Sequence, residues 1–180
     1  MTPLKQDRKE DEETRRKRAA VAELYETRFE RVARYIMVRI GNMDEAQDLA
    51  SETFVRALRS VESYKETGAP MEAWIFKIAH NIVVDYLRKK GSRPRAVPMD
   101  ETGDIAGKES PDEAAEQREE VQELRKAMEQ LSDSQRQVLA LRFTAELTSE
   151  EAGQVIGKKP GAVREMQSAA IKKLREILGG

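Results

Sequence analysis

The sequence predicts an all-α protein. Two small helical domains are joined by a flexible acidic linker, and the second domain carries a helix-turn-helix. Three observations predict this. Apolar residues recur at helical spacing along nearly the whole chain, and no segment alternates as a half-buried strand would. From Gly91 to about Ala114 that periodicity gives way to Gly, Ser, Pro and many acids. Finally, Leu131 to Leu178 reads as a helix, a gap, a short helix, a glycine turn and a long basic helix, which is the order of a helix-turn-helix. The expected division is a charged flexible arm at residues 1–17, a first domain at 18–90, the linker at 91–114 and a second domain at 115–180.

Composition narrows the function classes. The 180 residues suffice for one domain or two small ones. Charged residues make up 36% and aromatics 5%, so the core must be aliphatic. The net charge of -1 conceals segregation. Lys77 to Arg95 holds six basic residues and one acid, and Lys158 to Leu178 six and two. Asp100 to Glu123 holds ten acids and two bases. Local fields of this kind, rather than the total, steer a polyanion. The absence of cysteine excludes disulfides and thiolate metal sites. The single histidine, His80, offers little for metal binding or catalysis, and no phosphate-cradling glycine loop or nucleophile motif occurs. Neither enzyme activity nor a cofactor is expected. The opening MTPLKQDRKEDEETRRKR has no apolar stretch of a signal peptide, and no run approaches membrane-spanning length. A cytoplasmic protein without membrane insertion is expected.

The elements follow in order. A first helix is expected over Arg18 to Ile40, with the stripe Val21, Tyr25, Phe29, Val32, Ile36, Ile40 and a stop at Gly41-Asn42. Asp44 with Gln47 resembles a capping box for the next helix. That helix carries Ala46, Leu49, Ala50, Thr53, Phe54, Ala57, Leu58 and Val61 on one face, and Asp48, Glu52, Arg56 and Arg59 on the other. Ser63 to Ala69 is a loop, and Pro70 suits the first turn of a third helix. The stripe of that helix runs from Met71 and Trp74 to Tyr86 and Leu87; Phe76 lies off it. Beyond the linker, Val121, Leu124, Met128 and Leu131 share a face, and Ser132 caps a helix with Val138, Leu139, Leu141 and Phe143. Thr148 to Glu151 is a capping box, Gly157 supplies the turn, and Pro160 opens the last helix. The inner face of that helix is Val163, Met166, Ala170, Leu174, Ile177 and Leu178.

Three surfaces carry chemistry. The last helix offers Arg164, Glu165, Gln167, Ser168 and Lys172, with Lys158 and Lys159 at its mouth. Arg and Gln make bidentate contacts to base edges; Lys and Ser suit phosphates. The same residues also fit a solvated face of a small bundle. Lys77 to Arg95, near Tyr64, Trp74 and Phe76, has the cations and aromatics of a single-strand binder. Taken alone, it reads more readily as a core-facing helix with a wet back. The Asp48–Arg59 charges name no partner by themselves.

Together these pieces resemble the extracytoplasmic-function (ECF) class of bacterial sigma factors, over about Glu23 to Leu178. The first half matches through DEAQDLASETFVRALRSVESY followed by MEAWIFKIAHNIVVDYLRKK. The second matches through LSDSQRQVLALRF and IGKKPGAVREMQSAAIKKLREIL. The resemblance implies a sigma factor that binds core RNA polymerase, at its clamp and flap, and directs it to promoter DNA. Asp48, Glu52, Arg56 and Arg59 would then dock on the clamp. The Ser63–Pro70 loop with Tyr64, and the helix with Lys77, His80, Asn81, Asp85, Arg88 and Lys89, would recognise and open the minus-ten element. Lys158, Lys159, Arg164, Glu165, Gln167, Ser168 and Lys172 would read the minus-thirty-five element as duplex. The acidic linker would lie in the RNA exit path, and an anti-sigma factor is the expected regulator.

The chain departs from the family pattern at several positions. Gly153 stands for the usual alanine, Ala152 for a bulky aliphatic and Lys158 for an isoleucine. A glycine inside a helix costs about 1 kcal/mol against alanine, so a looser motif is expected. Met71-Glu72 replaces Phe-Arg and His80 an arginine, removing two positive charges beside the melting helix. Two rivals are a sigma mimic that titrates an anti-sigma factor and a stand-alone helix-turn-helix repressor. The mimic should lose Arg88, Lys89, Lys90, Arg164 and Lys172; the repressor would need neither the Asp48–Arg59 face nor a melting helix.

Overall fold

In the computed structural model, which describes residues 4–91 and 111–179, seven α-helices form and no strand occurs among the described residues. Helix α1 spans Leu4–Ile40. Most of the stretch expected as a flexible arm is therefore helical. Acids four residues before bases explain this: Glu13 meets Lys17 at 2.7 Å, and the spacing repeats at Asp11/Arg15 and Glu12/Arg16. Each such pair contributes about 0.2–0.5 kcal/mol in a helix. Lys17 Nζ also donates to the Tyr64 carbonyl at 3.0 Å, tying the extension to the domain.

Helix α2 spans Met43–Arg59. Its cap is Asn42, whose side chain accepts from the Glu45 N–H at 3.0 Å, rather than the expected Asp44. Asp44 and Glu45 sit in the first turn, where the helix dipole favours acids. Ala46, Ala50, Thr53, Phe54 and Ala57 are buried; the small side chains let α2 lie close to α1. Leu58, expected inside, is exposed. A 3-10 turn at Val61–Ser63 leads to the loop before α3, Met71–Lys90. Pro70 is the cap residue of α3, one position before the first turn expected of it, and Gly91 ends the helix in the left-handed region at φ 60. Glu45 clamps the open ends of α2 and α3 together. It accepts from the Tyr86 hydroxyl and pairs with Lys90 at 2.7 Å, and these hydrogen bonds hold its carboxyl below the usual range.

Helix α4, Pro111–Glu129, begins four positions ahead of the expected boundary. The linker between, residues 92–110, lies outside the described residues. Helix α5, Asp133–Leu139, starts in a complete Ser132/Gln135 capping box and continues into a wide π turn at Ala140–Thr144. Helix α6, Ser149–Ile156, starts in the Thr148/Glu151 capping box and stops at Gly157, φ 67. Helix α7, Pro160–Leu178, follows with Pro160 at its first position. Leu178, expected on the inner face of α7, is exposed, and so is Phe143.

Gly153 does not loosen this motif. A Cβ there would stand 2.4 Å from the Lys158 carbonyl oxygen, and the Lys158 N–H donates to the Gly153 carbonyl at 2.8 Å. The glycine is what lets the turn close against α6.

The core is continuous across the two domains. Val32, Tyr35, Ile36, Phe76, Ala79 and Val83 belong to one buried cluster with Val138, Leu141, Leu147, Ala152, Val155 and Val163. Helix α6 packs on α3, and the π turn packs on α1. Phe76, off the apolar stripe of α3, is fully buried edge-on to Tyr35 at 5.7 Å, so it is core and offers no stacking platform. Helix α3 thus has two buried sides, one toward α1 and α2 and one toward α6. A smaller cluster of Leu131, Leu139 and Ala170 seats α7 within its own domain.

Candidate nucleic-acid and partner interfaces

The outer face of α2 stands clear. Asp48, Arg56 and Arg59 are exposed and Glu52 half-buried, with Glu52 and Arg56 paired at 2.5 Å. The sequence reading missed the apolar part of this face. Val55 is 44% exposed and Leu58 41%. Asp48, Glu52, Val55 and Arg59 fall in line at helical spacing, with Leu58 alongside. Apolar contacts rimmed by charges are the usual make-up of a protein-binding patch. Val55 was legible as the residue that breaks the polar face; Leu58 was hidden by its place on the apparent stripe.

The loop between α2 and α3 is held from inside. Tyr64 is only 6% exposed; its ring lies 5.2 Å from that of Trp74, and its hydroxyl donates to the Ala69 carbonyl at 3.0 Å. The phenol closes the loop onto itself and faces inward. Lys65, Glu66 and Thr67 form the exposed tip.

Along α3, Lys77, Asn81, Arg88 and Lys89 are exposed, and Asp85 pairs with Arg88 at 2.9 Å. Val84, which the sequence reading passed over, adds an exposed apolar group to this line. Lys77, Asn81, Val84 and Arg88 recur at intervals of four, three and four, so they form one stripe. His80 is elsewhere. It points toward the second domain, with Nδ1 3.3 Å from the Tyr35 hydroxyl and 3.1 Å from the Gln137 amide. Burial, and then the charge of Arg39, lowers its pKa to about 4, so at neutral pH it is an uncharged bridge between domains.

On the second domain Lys158, Lys159, Arg164, Glu165, Ser168 and Lys172 are exposed together along the start and outer side of α7. Arg164 lies 3.6 Å from Glu150 in an exposed pair, which screening makes weak and easily exchanged. Gln167 is not free to read a base as it stands. Its Oε1 accepts from Arg142 Nε at 2.8 Å, and Arg142 also donates to the Leu147 carbonyl. This brace fixes α7 against the turn ahead of α6.

Among the described residues no acidic or histidine cluster could hold a metal, and no helix is long and apolar enough to cross a membrane.

Comparison with known proteins matches both halves. The Sigma-70 region 2 family covers residues 23–93, and Sigma-70 region 4 covers 127–176. The chain is 38% identical to the ECF RNA polymerase sigma factor ShbA of Streptomyces griseus, over 73% of this chain and 70% of that protein. It is 31% identical to the ECF RNA polymerase sigma factor BldN of Streptomyces coelicolor, over 88% of this chain and 60% of BldN. In fold it is similar to the sigma factor RpoE of Bartonella quintana, solved with the anti-sigma factor NepR. The TM-score is 0.66 at 21% identity, covering 88% of this chain and 96% of RpoE. With both sigma regions present in order on an all-helical scaffold, the chain belongs to the ECF class of RNA polymerase sigma factors.

Proposed function

We propose a division of labour for transcription initiation. The outer face of α2 docks on core polymerase, the α2–α3 loop with the exposed stripe of α3 recognises and opens the minus-ten element, and α7 reads the minus-thirty-five element as duplex. The observation that carries this reading is the presence of two separate, exposed lines of cationic and hydrogen-bonding side chains in one chain. Lys77, Asn81 and Arg88 stand on α3, and Arg164, Ser168 and Lys172 on α7. A repressor needs only the second. A mimic that merely titrates a regulator needs neither set of cations.

Opening a promoter requires a base held outside the stack, at a cost of a few kcal/mol. The α3 stripe supplies cations for phosphates, Asn81 for hydrogen bonds and Val84 for apolar contact. The protein performs no covalent step of its own; polymerase does the chemistry, in the cytoplasm. An anti-sigma factor is the regulator this reading expects, since the solved relative RpoE was crystallised with one. Permanganate footprinting of a promoter bound by the holoenzyme tests the assignment. Asn81→Ala should leave polymerase affinity intact and lower thymine reactivity in the minus-ten element at least several-fold. Wild-type reactivity in that variant would remove α3 from the melting role.

A further inference from the structure

The helix that opens the chain reaches the loop assigned above to the minus-ten element. Helix α1 packs on the 3-10 turn ahead of that loop, and Val21 of α1 and Val61 of the turn are buried in the same core cluster. One turn before Val21, Lys17 sends its ammonium to the Tyr64 carbonyl at 3.0 Å, across 47 residues of sequence. Glu13, one turn further back, pairs with the same ammonium at 2.7 Å. An ammonium has three donors, so it serves both acceptors at once. Glutamate four residues ahead of lysine is the favourable order on a helix, so the pair also aims the lysine. The Lys17 side chain is only 16% exposed, covered as a tether is rather than spread into water.

Tyr64 is the foot of the loop, and each of its polar groups is engaged. Its N–H donates to the Val61 carbonyl at 3.2 Å, its hydroxyl donates to the Ala69 carbonyl at 3.0 Å, and its carbonyl accepts from Lys17. Its ring rests near Trp74 of α3. Of these partners, Lys17 is the one drawn from outside the segment between α2 and α3. Beyond the foot, the exposed tip from Lys65 to Gly68 turns with the Thr67 N–H on the Lys65 carbonyl at 2.8 Å. The peptide joining Tyr64 to Lys65 is planar, so its orientation sets the direction in which the tip departs. Lys17 holds the oxygen of that peptide.

Resting on the initiation reading above, we propose that Lys17 is a positioning residue for minus-ten recognition. Through the Tyr64 carbonyl it fixes the loop tip in the pose that receives a base displaced from the stack. A loop fixed before contact loses less freedom when it captures the base. Lys17 lies ahead of the residues matched by sigma region 2, 23–93, so the helical extension adds a support to that domain. A direct grip on phosphate is the competing role for a lysine here, and the local charge opposes it. Asp11, Glu13 and Glu62 line the cleft beside Lys17 together with Arg15 and Arg18, so acids and bases balance and exert no net pull on a polyanion.

Fluorescence anisotropy with the holoenzyme of core polymerase and the full chain tests this. The probes are single-stranded oligonucleotides carrying the non-template minus-ten sequence of a mapped start site, and the same strand with each base changed in turn. Lys17→Met keeps the aliphatic stem and removes the donor. This variant should bind core polymerase as the wild type does, and its preference for the matched strand should fall several-fold at the position the loop holds. Lys17→Arg should keep most of the preference, because it still donates to a carbonyl. The salt dependence of binding should be the same for all three proteins, since no phosphate contact is lost. Wild-type preference in Lys17→Met would overturn the proposal. So would an equal loss on every strand with a salt slope shallower by about 0.7, the mark of one phosphate contact on a single strand. Either result would leave the initiation reading standing. A wild-type holoenzyme that binds matched and changed strands alike would overturn the minus-ten reading itself, and the positioning role with it.

Discussion

An alanine at position 153 would gain about 1 kcal/mol of helix propensity, but its Cβ would stand 2.4 Å from the Lys158 carbonyl oxygen. A backbone atom cannot yield cheaply, so Gly153→Ala should destabilise the second domain by about 1–3 kcal/mol. Chemical denaturation of the wild type and variant measures this directly; a stabilised variant would show the turn to be slack. Reading the residue as a lapse from the family pattern missed its purpose, because propensity is local and the close carbonyl is not. Arg164 tests the DNA side at the same scale. If it contacts a base edge, Arg164→Ala costs about 1–3 kcal/mol on one duplex element; if it touches only phosphate, the loss is uniform across sequences. Competition binding with unrelated duplexes separates the two.

At the scale of elements, caps and turns were legible and faces less so. The Ser132/Gln135 and Thr148/Glu151 boxes, the Gly157 turn and Pro160 at the head of α7 all appear where short-range chemistry puts them. Asn42 displaced Asp44 as the cap of α2, one helical start being chosen among adjacent polar residues by the turn at Gly41. Leu58 looked internal by periodicity yet faces solvent, while Phe76 looked external and is buried. Periodicity assigns one apolar side to a helix; α3 has two, and the second became visible only with α6 in place. The exposed Val55 and Leu58 give the docking proposal for α2 its sharpest test. Val55→Glu with Leu58→Glu should weaken core polymerase binding at least tenfold, as truncation of a buried interface anchor does. Stability should shift by no more than about 1 kcal/mol, since both side chains lie at the surface and are only partly covered. Surface plasmon resonance on immobilised core enzyme reads the first effect and thermal melting the second. Intact binding would move the docking site away from α2.

For the whole molecule, two helical domains and their order followed from the sequence, but their mutual seating did not. The contacts that join them link residues far apart in the chain: Arg31 with Glu146, His80 with Gln137, Phe76 with the second-domain core. Such pairs leave no periodic trace, and His80 read by itself was only an arginine position lost from a DNA-facing helix. In place it is the uncharged partner of an interdomain hydrogen bond. Likewise the first turns of α1 were read as an arm from their charge, although the same charges at four-residue spacing make them a helix.

The central claim is that the chain directs core polymerase to particular promoters. Run-off transcription with purified core enzyme, on genomic fragments chosen by mapping start sites after induced expression, tests it most directly. The account predicts discrete transcripts that require the protein and share two upstream elements, with Asn81→Ala and Arg164→Ala impairing different ones. No promoter-dependent transcript from any fragment, under conditions where the protein binds core enzyme, would contradict it.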